Sequence, residues 1–183
     1  ELIALAKSKP GELNYGSTVA GGTQQLGLEL FKSMAGVNIV HVPYKGAGPI
    51  FTALISGEVQ LTIYDTGVVA PHVKAGKLRA LAITNAEPSV LVPGLPTIAS
   101  AGLPGYELAA MTGMLAPLKT PPAIINRLNQ EIVRLLARLE VKERFLSAGV
   151  ETVGNSPDQF AAIIKADIAR WTKVIKDAGI KAD

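Results

Sequence analysis

The first half of the chain alternates short apolar runs with segments of helical periodicity, and glycine or proline stands at most of the changes. Apolar runs of this length indicate buried strands, whereas apolar positions three or four residues apart indicate helices. Strands that alternate with helices predict βαβ units and a mostly parallel sheet with right-handed crossovers. The predicted strands are residues 13–17, 38–42, 59–64 and 78–84. The predicted helices are a first one that ends before Pro10, then residues 23–35, 49–56 and 68–74.

The helix predicted for residues 23–35 has a clear end and a clear apolar face. Gly36 follows it directly, at the position where a left-handed glycine commonly ends a helix. Leu26, Leu30 and Met34 are spaced so that they share one face. We expect this face to pack on the core.

The pattern changes after residue 86, where proline and glycine become frequent and predict a long connection with one short helix near residues 97–100. An extended apolar segment and two amphipathic helices follow, and these helices are predicted at residues 121–145 and 157–178. Residues 150–153, between the two helices, have the composition of a short edge strand. Helices without intervening strands do not continue the βαβ pattern.

The second of these helices begins with Ser156 and Gln159 three residues apart, which is the signature of a capping box. Trp171 lies on its apolar stripe and is expected in a core. The change of pattern predicts two parts, a ligand-binding βα lobe at residues 1–107 and a helical portion of another lobe at residues 108–183. Because the apolar stripes need a partner, they are expected to dock on the lobe or on another molecule, which includes self-association of the chain.

Composition excludes several classes of protein. With 183 residues, 48% of them hydrophobic and 18% charged, the chain fits a folded protein rather than a disordered one. A net charge of +3, scattered cations and 5% aromatic residues argue against a nucleic-acid partner. No apolar run approaches the roughly 20 residues that span a bilayer. The absence of cysteine excludes disulfides, thiolate catalysis and cysteine-based zinc sites.

The candidate ligand residues Ser17, Thr18, Gly21, Gly22 and Thr23 lie where the first predicted strand passes into a helix. Glycine lets backbone N–H groups approach a ligand, and the start of a helix carries partial positive charge. Hydroxyl groups beside such a turn add further hydrogen-bond donors. This combination favours binding of a small anion over the alternative of an ordinary tight turn.

The run HVPYKGAGP at residues 41–49 repeats this arrangement at the next predicted strand. Tyr44, Lys45 and Gly46 are the candidate ligand residues here, because two such loops from neighbouring strands would face one crevice. For Lys45 the alternative is a solvent-exposed lysine in a structural motif. His41 is expected to be packed or hydrogen-bonded rather than to contact ligand, and His72 is expected at the surface.

Asp65 follows the third predicted strand, where ligands of α/β proteins are commonly bound. Its carboxylate would suit an ammonium group, a hydroxyl or a bridging water of a ligand. The alternative is that it caps the following helix through its side chain. The sequence favours neither interpretation over the other.

Four motifs together give the chain a resemblance to a known family: HVPYKG at residues 41–46, AGKLRALA at 75–82, LPT at 95–97 and AGLPGYE at 101–107. In this order they resemble the Bug family, the periplasmic substrate-binding proteins of tripartite tricarboxylate transporters. The resemblance runs from end to end of the chain but covers about the last three-fifths of a full family member. Two departures are Gln25, where relatives often have histidine, and the glycine-loop sequence VAGG at residues 19–22.

The resemblance implies an α/β fold of the type II periplasmic-binding-protein kind, with one parallel βα lobe and C-terminal helices of an incomplete second lobe. It further implies a small carboxylate ligand in the cleft between lobes, a periplasmic location and transporter membrane subunits as partners. Ligands of the family are typically di- and tricarboxylic acids, acidic amino acids or aromatic acids. The family pattern places ligand contacts at residues 17–23, at Tyr44, Lys45 and Gly46, and at Asp65.

Two functions from other classes are alternatives to a solute receptor. An effector-binding domain of a transcription regulator shares the two-lobe architecture and is the alternative function. An enzyme would need a base within reach of Ser17 or Thr23. Neither of the two histidines lies in a nucleophile elbow or at metal-ligand spacing, so we predict no catalytic residue, no metal and no cofactor.

Overall fold

Short parallel strands with helices packed around them form the N-terminal part of the protein. The structure, a computed structural model, describes residues 1–18 and 20–180. Its strands are β1 (Asn14–Ser17) and β2 (Val40–Pro43). Its helices are α1 (Leu2–Ser8), α2 (Thr23–Ala35), α3 (Ala47–Ser56), α4 (Thr66–Lys74), α5 (Pro122–Leu136), α6 (Leu139–Ser147) and α7 (Pro157–Asp177).

The two strands pair in parallel, with Tyr15 opposite His41 and Ser17 opposite Pro43. On the other edge of β1, the N–H of Gly16 donates to the carbonyl of Leu61 at 3.0 Å. The third strand predicted for residues 59–64 is therefore reduced to an isolated parallel bridge between Tyr15 and Leu61. The strand order β2–β1–Leu61 agrees with the predicted parallel α/β arrangement.

The prediction of a fourth strand at residues 78–84 is wrong. Of this run only Ile83 forms a β-bridge, with Thr97, and Leu81 is half exposed. The N–H of Ile83 donates to the carbonyl of Pro96, and the N–H of Ile98 donates back to Ile83, both at 2.9 Å. An apolar run becomes a strand only when another strand supplies its hydrogen-bond partners, and here a connecting loop supplies them instead.

Glycine ends α2 and α3 as predicted. Gly36 and Gly57 follow these helices with left-handed backbone conformations, φ 61° and φ 82°. Neither residue carries the Cβ that makes this conformation costly for other amino acids.

The face of α2 that packs on the core overlaps the predicted one only at Leu30, which lies partly buried against the core. The helix buries Gly27, Leu28, Phe31 and Ala35, whereas Met34 is exposed. Both sets of residues have helical spacing, so periodicity alone does not distinguish them. Gly27 decides the orientation because it lets Leu108 approach the helix closely, and the Gly27 carbonyl accepts a 3.0 Å hydrogen bond from the buried Tyr106 hydroxyl.

Contacts divide the chain into two compact units. The first contains residues 1–110 and the chain from Trp171 onward, and the second is Met111–Arg170. Trp171 packs partly buried against the core of the first unit, as expected. That core is made of residues of α1, α2 and β1, of Ile39 and Leu61, and of the segment around Tyr106. The assignment of residues 1–107 and 108–183 to two lobes stays a prediction.

Within the second unit, the predicted capping box is present. The Ser156 N–H donates to Gln159 Oε1 at 2.9 Å, and the Gln159 N–H donates to Ser156 Oγ at 3.2 Å. The single helix predicted for residues 121–145 is instead broken at Arg138, whose backbone is extended, into α5 and α6. Residues 150–153, all of them described, form no strand.

None of the helices in residues 1–18 and 20–180 is both long and apolar enough to cross a bilayer.

Candidate functional site

The first predicted ligand loop leaves the end of β1 and enters α2. Ser17 is the last residue of the strand, and Thr23 is the first residue of the helix. Between them, Gly21 has φ 72°, a conformation that favours glycine. Gly22 stands at the N-cap of α2 and, like any glycine, offers no side-chain oxygen, so no side chain caps the first turn. The N-terminal turn of α2 therefore keeps backbone donors that a ligand can use.

Two glutamines of the first turn of α2 fold back onto this loop. The Gly21 N–H donates to Gln25 Oε1 at 2.8 Å, and Thr18 Oγ1 donates to Gln24 Oε1 at 3.1 Å. One of the backbone amides that the sequence assigned to the ligand is thus bonded to a side chain of the protein. This contact was not expected from the sequence.

The second predicted loop connects β2 to α3 and is joined to the first. The Tyr44 N–H donates to the carbonyl of Ser17 at 2.8 Å, which holds the two loops side by side at the carboxyl ends of the strands. Gly46 occupies the N-cap of α3 with φ 105°. Lys45 is exposed between them.

The Tyr44 ring lies against the backbone of Gly16, where it leaves little room for a side chain. Its hydroxyl donates to Glu58 Oε1 at 2.8 Å. Partial desolvation, together with the hydrogen bond and the charge of Glu58, raises the pKa of Tyr44. Tyr44 therefore packs against the loop region, while its hydroxyl is engaged with Glu58.

His41 is hydrogen-bonded, as expected, and its partners join both loops. Its Nε2 lies 2.6 Å from Ser17 Oγ, and its Nδ1 lies 3.4 Å from Gln25 Nε2. The ring stacks on Tyr15 with 4.9 Å between ring centroids. Burial lowers the pKa of His41, so the imidazole is neutral at neutral pH.

A base thus lies within reach of Ser17, which the spacing of the histidines did not indicate. Ser17 and His41 are far apart in sequence and meet because β1 and β2 pair in parallel with Tyr15 opposite His41. The recognisable signal is that both residues stand near the ends of adjacent predicted strands. Ser17 is fully buried, however, and the group on the other side of His41 is a neutral amide.

A charged network lies behind His41. The Tyr15 hydroxyl donates to Glu29 Oε1 at 2.7 Å, and Lys32 Nζ forms an ion pair with the same oxygen at 2.7 Å. Burial, followed by the Glu29 contact, raises the pKa of Tyr15 well above its usual range. This network anchors α2 to β1 and holds in place the Tyr15 ring, on which His41 stacks.

Asp65 is the N-cap residue of α4, and its side chain is exposed. Its carboxylate makes no capping hydrogen bond, so the side-chain cap considered from the sequence is absent. Its carbonyl accepts the N–H groups of Val68 and Val69. His72, expected at the surface, is half-buried, with its ring 4.8 Å from that of Phe51.

The structure therefore joins the loop of Ser17, Gly21 and Thr23 to the loop of Tyr44 and Gly46. No group of three or more histidine, cysteine, aspartate or glutamate side chains among the described residues is arranged to hold a metal ion.

Comparison with known proteins identifies the family of this chain. Residues 1–180 match the model of the tripartite tricarboxylate transporter family receptor. The chain belongs to this family. Its relatives include protein BugT of Bordetella pertussis, 36% identical over 98% of this chain and 55% of BugT. The chain thus spans about half the length of this curated relative.

Solved structures of similar proteins show the same fold. The R. palustris protein Rpa4515, solved with adipate, is 41% identical with a TM-score of 0.83, over 100% of this chain and 61% of that chain. MatC from Rhodopseudomonas palustris, solved with bound malate, is 29% identical with a TM-score of 0.73, over 95% of this chain and 60% of that chain. The predicted α/β periplasmic-binding-protein fold and the resemblance to the Bug family are confirmed. This chain is a member of a family of solute receptors.

Proposed function

We propose that this tripartite tricarboxylate transporter receptor binds a small dicarboxylate in the periplasm and delivers it to transporter membrane subunits, without catalysis. The observation that carries the proposal is the hydrogen bond from the Tyr44 N–H to the Ser17 carbonyl, which joins two glycine loops at the ends of parallel strands. Relatives with the same fold were solved with adipate and with malate, both small dicarboxylates. Membership of a receptor family favours this function over a transcription regulator.

The proposed ligand groups are the Thr23 hydroxyl and the backbone N–H groups at the start of α2, joined by the Thr18 hydroxyl when it exchanges Gln24 Oε1 for the carboxylate. A carboxylate at a helix N-terminus gains roughly 0.3–1 kcal/mol from the helix dipole. Each charge-assisted hydrogen bond adds about 1.5–3 kcal/mol. Two or three such bonds, offset by the cost of association, support micromolar affinity, about −8 kcal/mol.

The second loop is proposed to take part through Tyr44, Lys45 and Gly46. Lys45 is exposed beside the joined loops, so its ammonium group attracts an acid without the cost of burial. Asp65 is proposed to meet a hydroxyl or a water at the same end of the sheet, because its carboxylate is not used as a helix cap.

Turnover is not part of this proposal, although Ser17 and His41 lie at hydrogen-bond distance. A nucleophile must reach its substrate, and the Ser17 side chain has no exposed surface. The contact between Ser17 and His41 instead stabilises the conformation of the loop.

Calorimetric titration of the chain with adipate, malate and citrate tests the proposal. We expect binding of at least one acid, and we expect Thr23→Val to weaken it about tenfold because one hydrogen bond to the carboxylate is lost. Thr52→Val is the matched control, since the Thr52 hydroxyl donates to the Gly48 carbonyl within α3. Absence of heat with all three acids, or equal weakening by both variants, would contradict the proposal.

A further inference from the structure

Gln25 connects the glycine loop to a titratable side chain. Its Oε1 accepts from the Gly21 N–H at 2.8 Å, and its Nε2 lies 3.4 Å from His41 Nδ1. On the other side of the ring, His41 Nε2 lies 2.6 Å from Ser17 Oγ. A backbone amide of the candidate site is therefore linked to an imidazole through a single side chain.

The hydrogen-bond directions along this chain of contacts follow from the Gly21 N–H, which can only donate. It fixes the oxygen of the Gln25 amide toward Gly21 and the NH₂ group toward His41. An NH₂ group also only donates, so Nδ1 of His41 must be unprotonated to accept from it. The neutral imidazole then carries its proton on Nε2 and donates to Ser17 Oγ.

Protonation of His41 reverses the requirement at Nδ1. A second proton on the ring makes Nδ1 a donor that faces the NH₂ group of Gln25, and two donors repel each other. Rotation of the Gln25 amide brings Oε1 to Nδ1–H and turns its NH₂ group toward Gly21. The Gly21 N–H then loses its acceptor and becomes available to an anion.

We propose that the side-chain amide of Gln25 is a proton-operated switch, which covers the Gly21 N–H while His41 is neutral and releases it to a bound carboxylate when His41 is protonated. The inference rests on the proposed function, because it regulates the same anion site. It assigns a regulatory role to Gln25, a residue outside the predicted ligand set. It also means that acid binding and proton binding at His41 strengthen each other, since such linkage is reciprocal.

The charged groups around His41 leave this coupling intact. Tyr15 of β1 covers one face of the ring and remains neutral, and Glu29 and Lys32 of α2 act on His41 with opposite signs. Because Glu29 and Lys32 are paired at 2.7 Å, their combined effect changes little when a ligand binds. The positive charge of protonated His41 and the released N–H group both favour an anion.

NMR titration of the ligand-free, full chain from pH 8 to pH 4.5 tests the switch directly. At neutral pH we expect His41 in the Nε2–H tautomer, and we expect the Gly21 amide proton to move upfield with the same midpoint as His41. His72 is the reference histidine, and the Gly76 amide, bonded to the Val73 carbonyl, is the reference glycine. An Nδ1–H tautomer at neutral pH, or a Gly21 amide that does not follow His41, would overturn the inference.

Binding of adipate to wild type and to Gln25→Met gives the second test. Methionine has a similar length but accepts only weakly, so the Gly21 N–H is released at every pH. We expect Gln25→Met to bind adipate about tenfold more tightly than wild type at pH 7.5, because one charge-assisted hydrogen bond becomes available. The two affinities should converge as the pH falls below the His41 midpoint found in the NMR titration, and adipate's own titration cancels in their ratio.

His72→Gln is the control variant and should keep the pH dependence of wild type. Equal or weaker adipate binding by Gln25→Met at pH 7.5 overturns the switch and leaves the proposed function standing. If neither protein binds adipate at any pH, adipate is excluded as the ligand, and the ligand-free titration alone decides the switch.

Discussion

Gly21 and Gly46 give the two loops their shape through backbone conformations that other residues adopt at a cost. Their φ angles are 72° and 105°, and neither position has a neighbouring atom that would obstruct a side chain. A lack of space for a side chain is therefore not the reason for glycine at these positions. The reason is conformational, so a substitution there acts on the path of the backbone.

Gly21→Ala is expected to weaken adipate binding and to lower the free energy of unfolding by about 1 kcal/mol, the cost of a left-handed alanine. Gly76→Ala is the matched control, because Gly76 has φ 66° and equally open surroundings but lies outside the loops. Urea denaturation should show similar destabilisation of both variants, and calorimetry should show weaker binding only for Gly21→Ala. Equal affinity of the two variants would mean that the Gly21 loop does not bind the acid.

The lowered pKa of His41 predicts how stability depends on pH. The unfolded chain takes up a proton near the ordinary value of 6.5, whereas the folded chain takes it up at lower pH. Stability should therefore fall as the pH drops below 6.5 and level off below the lowered pKa. Urea denaturation at pH 7.5 and 5.5 should show a smaller loss of stability for His41→Asn than for wild type, and an equal loss in both proteins would contradict the prediction.

At the residue scale, the sequence predicted which residues form the loops but not how they bond to each other. Ser17, Gly21 and Thr23 were assigned to the first loop because they stand at a glycine-containing strand–helix junction. The contact of Ser17 with His41 was missed because it depends on strand register, which a single sequence does not reveal. The orientation of Gln25 depends in turn on His41.

At the scale of elements, local signals were predicted more accurately than pairings. Gly36, Gly57 and the Ser156–Gln159 capping box act within a few residues of the helix ends that they determine. The predicted strand at residues 78–84 failed because a strand needs a partner elsewhere in the chain. The break at Arg138 was also missed, since the apolar stripe continues across it.

The packing of α2 gives an element-scale prediction. A Cβ at Gly27 would lie 2.4 Å from Leu108 Cδ2 and 2.9 Å from Ile63 Cδ1, so alanine must displace both side chains. Overpacking typically costs about 1–3 kcal/mol, against a gain of about 1 kcal/mol in helix propensity. Gly27→Ala should therefore lower the free energy of unfolding in urea, by up to about 2 kcal/mol.

Gly48→Ala is the matched control in α3, where an added Cβ meets no atom within 4 Å. Helix propensity alone should act there, so the variant should be as stable as wild type or more stable. If Gly27→Ala were equally harmless, the close approach of Leu108 to α2 would not exist in solution.

At the scale of the whole molecule, the second unit exposes much apolar surface. Its helices α5 and α6 contain no fully buried residue, and Leu115, Leu118 and Leu139 are 79%, 100% and 71% exposed. Amphipathic helices of this kind are typical of surfaces that pack against another element. Large exposed apolar areas also promote association between copies of a protein.

Self-association of the chain is therefore expected to increase with concentration. Sedimentation velocity at increasing protein concentration should show species larger than a monomer. Replacing Leu115 and Leu118 with serine should reduce them, whereas Val90→Ser, at an exposed position in the first unit, should not. A monomer at every concentration would exclude an intermolecular partner for these apolar side chains.

The division of α7 between the units affects the order in which the protein can be made. Trp171 belongs to the core that also contains Tyr15 and Tyr106, yet the intervening residues 111–170 form a unit of their own. During translation, the core of the first unit cannot be completed until the part of α7 that contains Trp171 has left the ribosome. Proteolysis within residues 111–170 would leave Trp171 on a separate peptide, with no continuous backbone joining it to the rest of that core.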